Sequence, residues 1–175
     1  MDQLKRGDFG KKNTQSIKNL AEWHSEGDTM DKEKEENLYT YIANTVLEMI
    51  PGKWDWIKLY AEYWDGYYKC YFYYSPAGSG EHVYSLDIPN QYEVSQETFD
   101  RLDEQLYGYI KALWNEFKNQ GETAWTNLTL SLQNDGKMKI DYDYSDLSDL
   151  NPLEKRKCWE SNYLLGGVTS DCRTD

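Results

Sequence analysis

The sequence predicts an α+β domain in the order α-β-β-β-α-β-β-α, an antiparallel sheet with helices packed on one face. Three observations carry this. Residues 124–144 alternate like a hairpin, residues 54–88 read as three short strands joined by turn residues, and residues 95–117 carry a single apolar stripe at helical spacing. Period-two alternation marks a half-buried strand, and a 3.6-residue period marks an amphipathic helix. Helices gathered on one face of a mostly antiparallel sheet form an α+β sandwich.

The elements follow in order. A helix is expected from about Lys32 to Ile50, with Leu38, Ile42, Val46 and Met49 at helical spacing and Pro51-Gly52 as its stop. Strands follow at 54–64, 67–75 and 82–88, punctuated by Asp65-Gly66, by the Pro76–Gly80 run and by Pro89. Ser95 is a good N-cap for the second long helix, and Val94 before it can staple to Phe99. Phe99, Leu102, Leu106, Ile110, Leu113 and Phe117 form its stripe, and Gly121 closes it. In the hairpin, a three-residue loop with Gly136 in the left-handed conformation sets Leu132 opposite Met138, Leu130 opposite Ile140 and Leu128 opposite Tyr142. A last helix is expected from Pro152 to Leu164.

At 175 residues the chain suits one well-buried domain. Residues 1–29 lack periodicity and balance five basic against five acidic residues, so they read as a polar extension. Residues 30–165 are the expected domain, and 166–175 a polar tail. The net charge of −12 argues against direct nucleic-acid binding, which needs a basic surface. It suits a basic protein partner, or plain solubility. Cys70, Cys158 and Cys172 are odd in number and form no CxxC pair, which argues against a zinc site or a disulfide framework. With no long apolar run and no leader pattern, no membrane association is expected and the chain reads as cytoplasmic.

Alternation names the face left open by the helices. Ile57, Leu59, Ala61 and Tyr63 point inward, and Tyr68, Cys70, Phe72 and Tyr74 do the same on the next strand. The opposite face then carries Trp56, Tyr60, Glu62, Trp64, Tyr71, Asp87, Trp125, Asp141 and Asp143 as candidate partner contacts. So many exposed rings suggest an interface, although cross-strand aromatic pairs also stabilise a sheet without binding anything. The run Asp141-Tyr142-Asp143-Tyr144-Ser145 imitates a calcium loop, but Asp146 stands where the turn glycine belongs and Pro152 at the twelfth position. The neighbouring acids also lack a separate second carboxylate of the kind a glycosidase needs. No catalytic, cofactor or metal residues are expected.

Several local patterns carry a resemblance: IANTVLEMIP at 42–51, YAEYWDGYYKCYFYY at 60–74, YSLDIP at 84–89, the long run 113–144, and NPLEKRKCWESNYL at 151–164. In that order and spacing, the core from Glu36 to Leu165 resembles the YezG/EsaG-type immunity proteins of Gram-positive bacteria. The resemblance implies a cytoplasmic antitoxin that neutralises a cognate LXG-type toxin exported by the type VII route, whose C-terminal domain is typically a nuclease. It transfers no enzymatic residues. The rival classes are an adaptor or chaperone for a secreted protein and a small carboxylate-dependent hydrolase. Because the extension lacks periodicity and net charge, deleting residues 1–29 is expected to move the melting temperature by less than about 5 °C, on the order of 1–2 kcal/mol. A larger drop in a thermal melt would mean that it packs on the core.

Overall fold

The computed structural model describes residues 30–165; the expectations for residues 1–29 and 166–175 lie outside them. The elements are α1 (Met30–Met49), β1 (Trp54–Trp64), β2 (Tyr67–Pro76), β3 (Val83–Tyr84), a 3₁₀ turn (Ser85–Asp87), α2 (Ile88–Gln91), α3 (Gln96–Asn119), β4 (Asn127–Gln133), β5 (Met138–Asp143) and α4 (Pro152–Tyr163). The five strands form one sheet in the order β3-β2-β1-β4-β5, and each pair is antiparallel. Class and element order are as the sequence predicts.

Turn chemistry sets the register. At Asp65-Gly66, Gly66 takes a φ of 86°, a conformation that a side chain disfavours, and Trp64 then pairs with Tyr67. At Asn134-Asp135-Gly136, Gly136 takes a φ of 89° and Gln133 N–H donates to the Lys137 carbonyl at 2.9 Å. That closure places Leu132 opposite Met138, Leu130 opposite Ile140 and Leu128 opposite Tyr142, the expected register. On α3, Ser95 Oγ accepts the Thr98 N–H at 3.0 Å, which satisfies one of the orphan donors of the first turn.

The main core lies between the sheet and the two long helices. Ile42, Val46 and Met49 of α1 and the predicted α3 stripe, extended by Trp114, are all buried there. They meet Ile57, Leu59 and Ala61 of β1, Phe72 and Tyr74 of β2, and Leu128, Leu130 and Leu132 of β4.

Three expectations need correction. The third strand stops after Val83 and Tyr84 instead of running to Ile88. Its next residue, Ser85, uses the side-chain Oγ to accept the Phe72 N–H at 3.1 Å, in place of a ladder bond. Pro89 then suits the first turn of α2. Second, the helices do not share one face, because α4 lies across the opposite side of the sheet. Its Trp159 forms a second buried cluster with Tyr60, Tyr71 and Tyr73. Third, Cys158 is disulfide-bonded, although the absence of a CxxC pair argues against a disulfide framework, whereas Cys70 is a free thiol whose pKa burial pushes up to about 12. Leu106 sits mid-stripe and fully buried, so Leu106→Ala is expected to cost about 2–5 kcal/mol through lost burial and a cavity. Chemical denaturation followed by circular dichroism reads this directly; wild-type stability would mean the stripe does not face the core.

Candidate functional site

The second face of the sheet begins with aromatic residues that β1 and β2 place side by side. Antiparallel register sets Tyr60 opposite Tyr71 and also opposite Thr129. The Tyr60 and Tyr71 rings stack with centroids 5.1 Å apart. A row of rings this large requires cover, and α4 supplies it. Lys155, Trp159 and Tyr163 recur every fourth residue, so one side of the helix presents all three. Trp159 meets the Tyr71 edge at 5.5 Å and stacks on Tyr73 at 6.0 Å, while its indole N–H donates to Thr129 Oγ1 at 2.8 Å.

Beside this cluster sits a charge in the interior. Glu62 is 0 % exposed, yet both carboxylate oxygens are satisfied. Lys155 Nζ donates to Oε1 at 2.6 Å and the Tyr60 hydroxyl donates to Oε2 at 3.0 Å. The Lys155 ammonium also lies 5.0 Å from the centroid of the Trp64 ring and 5.3 Å from that of Tyr67, which favours a cation there. Burial above all, and then the Glu62 charge, raise the pKa of Tyr60 and keep its hydroxyl a donor. The Asn151 capping box fixes where α4 starts: Asn151 Oδ1 accepts from Leu153 and Glu154 N–H groups, and Glu154 accepts from Asn151 N–H.

The nine candidate contacts therefore divide. Tyr60, Glu62 and Tyr71 come together on the expected face, but α4 buries them, so they are not outward-facing as alternation alone suggests. Trp125 is 1 % exposed and belongs to the main core on the other side. The reason is local: Thr126 N–H donates to the Asp143 carbonyl while Asn127 is also registered against Asp143, so an extra residue reverses the alternation before β4. Trp56 and Trp64 sit half-buried at opposite ends of β1. Asp87 is exposed on the 3₁₀ turn and not on a strand.

Asp141 and Asp143 do lie at the rim of this face, on β5. Asp141 pairs with Lys139 at 2.7 Å, and its charge opposes the lowering of the Lys58 pKa that burial causes. Asp143 is exposed, with Oδ1 accepting the Ser145 N–H at 2.7 Å. Beyond Lys139 the chain carries Asp141, Asp143, Asp146, Asp149 and Glu154 before the next basic residue, Lys155. Tyr144, about half exposed, stands in the same run. Residues missed by alternation are thus Lys155, Trp159 and Tyr163; the aromatic crowding of β1 and β2 on both faces was the signal, since strands covered on both sides lose clean alternation. Among the described residues no group of three or more His, Cys, Asp or Glu is placed to hold a metal ion, and no helix is long and apolar enough to cross a membrane.

This arrangement leaves acids and half-exposed rings at the margins of the covered face. Its wider kinship is shown by comparison. The chain belongs to the YezG-like immunity protein family, whose model matches residues 36–170. It is 39 % identical over 132 residues to the immunity protein YezG of Bacillus spizizenii, covering 74 % of this chain and 82 % of that protein. It is 35 % identical over 131 residues to the immunity protein YezG of Bacillus subtilis, covering 74 % of this chain and 87 % of that protein. To the type VII secretion system protein EsaG of Staphylococcus aureus it is 32 % identical over 115 residues, covering 66 % of this chain and 71 % of that protein. These relatives are named immunity and secretion-system proteins, not enzymes.

Removing one partner of a buried ion pair strands the other in the interior. Lys155→Met is therefore expected to destabilise the fold by about 3–5 kcal/mol, and Lys155→Met with Glu62→Gln by clearly less than the sum of the two single changes. A double-mutant cycle in urea measures this. Strict additivity would mean the pair does not hold α4.

Proposed function

We propose that the chain is a cytoplasmic immunity protein that binds a cognate secreted LXG-type toxin and neutralises it by occluding its active domain, a nuclease. Membership of a family named for immunity is the observation that supports this most. The physical fit is independent of the name. A nuclease active domain holds a polyanion and so presents basic surface, to which a chain of net charge −12 is complementary. The accessible contacts are Asp141 and Asp143 on the hairpin, with Trp56, Trp64 and Asp87 at the margins; Tyr60, Glu62, Tyr71 and Trp125 act from beneath by holding the surface in place.

The test is a growth assay. Expression of an LXG-type toxin gene, sought beside the gene for this chain, should arrest a host, and co-expression of this chain should restore growth and allow the two proteins to be purified together. A host that stays arrested, with no complex recovered, contradicts the proposal.

The acids of the hairpin sharpen it. Asp141→Asn with Asp143→Asn removes the partly exposed Lys139–Asp141 ion pair and the weaker attraction of Asp141 for Lys58, and preserves the oxygen that Ser145 uses, so stability should change by about 0.5–1 kcal/mol at most. Toxin affinity should fall at least about tenfold, or 1.4 kcal/mol. Association should slow more at low salt than at high salt, where screening already removes steering. Stopped-flow binding at two ionic strengths checks both, and unchanged affinity would move the interface to another face.

A further inference from the structure

The two edges of the sheet are treated differently. Beside β2, pairing lasts two residues before the 3₁₀ turn and α2 lead the chain away, with Ser85 capping the Phe72 amide. Beside β4, the edge strand β5 runs six residues without a proline. Hydrogen-bond phase identifies the groups on it that no described residue pairs. Gln133 N–H donates to the Lys137 carbonyl and Thr126 N–H to the Asp143 carbonyl, both at 2.9 Å, so the odd-numbered residues of this strand face β4. In an antiparallel ladder the alternate residues, Met138, Ile140 and Tyr142, then direct N–H and C=O away from the sheet.

A row of unpaired backbone groups is a template for another strand, and proteins usually blunt it with charge, proline, bulges or cover. Here the charges do not repel all comers. Lys139 and Asp141 neutralise one another at 2.7 Å, and the run that follows is acidic through Asp143, Asp146 and Asp149 with no Lys or Arg before Lys155. On the helix side Met138, Ile140 and Tyr142 are only part-buried against the core, so a further strand would cover apolar surface there. On the α4 side the same strand would meet Asp141 and Asp143. One pattern satisfies both faces: apolar residues alternating with Lys or Arg.

We infer that β5 receives an extended segment of the toxin, alternating apolar and basic residues, as a sixth strand of the sheet. This rests on the toxin-binding reading above and specifies how that binding is made. Main-chain bonds supply the grip, and alternation of side chains supplies selectivity.

Amide hydrogen exchange resolved by residue, in the free protein and in its complex with the purified toxin C-terminal domain, tests it. The amides of Met138, Ile140 and Tyr142 should exchange rapidly in the free protein and at least tenfold more slowly in the complex. In parallel, Ile140→Pro deletes one outward donor without removing a bond to β4, whereas Ile140→Ala trims the side chain and keeps the donor. The proline variant should bind at least tenfold more weakly than the alanine variant. If Ile140→Pro fails to fold, the exchange result alone decides. A stable complex in which the three amides stay unprotected overturns strand addition and leaves toxin binding standing. Absence of any complex overturns the toxin reading, and this inference with it.

Discussion

Glu62 is an ionisable side chain with no access to water, and the second half of the molecule is organised around that fact. A carboxylate taken out of water is costly unless its oxygens are given donors. The Tyr60 hydroxyl supplies one and Lys155 supplies the other. Lys155 comes from α4, 93 residues further along the chain, so satisfying Glu62 requires the last helix to cross the sheet. Once there, α4 also delivers Trp159 onto Tyr60, Tyr71 and Tyr73, and an apolar contact accompanies the charged one. The ion pair contributes modestly to net stability but strongly to position, because a shifted helix would leave a buried charge alone.

That position bears on function. With α4 seated, Tyr60, Tyr71 and Tyr73 are covered, while among the described residues Asp141 and Asp143 stay at the hairpin rim of this side. Here the acids of β5 and of the following loop stand beside a sheet edge that no described strand covers. The fold thus converts a flat, ring-covered sheet into a covered one with a charged border. In the binding proposed above, steering by charge and capture by an ordered edge would be complementary tasks: the first would speed encounter with a basic partner, the second would set what stays bound.

Much of this was legible in the residues. Leu128, Leu130 and Leu132 across Asn134-Asp135-Gly136 from Met138, Ile140 and Tyr142 specify one register, because a slip by one residue would turn one strand's three to the face opposite the other strand's three. Ser95 and the six-residue stripe fix the start and phase of α3 in the same way. The failures have physical causes. In α4, Lys155 and Trp159 are the only buried residues, so no apolar stripe announces its buried side. Ser85 ends β3 through a side-chain bond that alternation does not encode. Trp125 falls on the far side of a one-residue bulge, where counting in twos gives the wrong face. In each case a side chain or an extra residue, not propensity, decides the local path.

The central claim is that a basic toxin domain is bound at the acidic hairpin rim while α4 remains closed over the sheet. A crystal structure of the complex tests this most directly. The account predicts Lys or Arg side chains of the toxin within about 4 Å of Asp141 or Asp143, the usual limit for an ion pair, with the Glu62–Lys155 contact intact beneath them. A toxin domain seated on α1 and α3 with the hairpin in open solvent, or α4 lifted from the sheet, would contradict it.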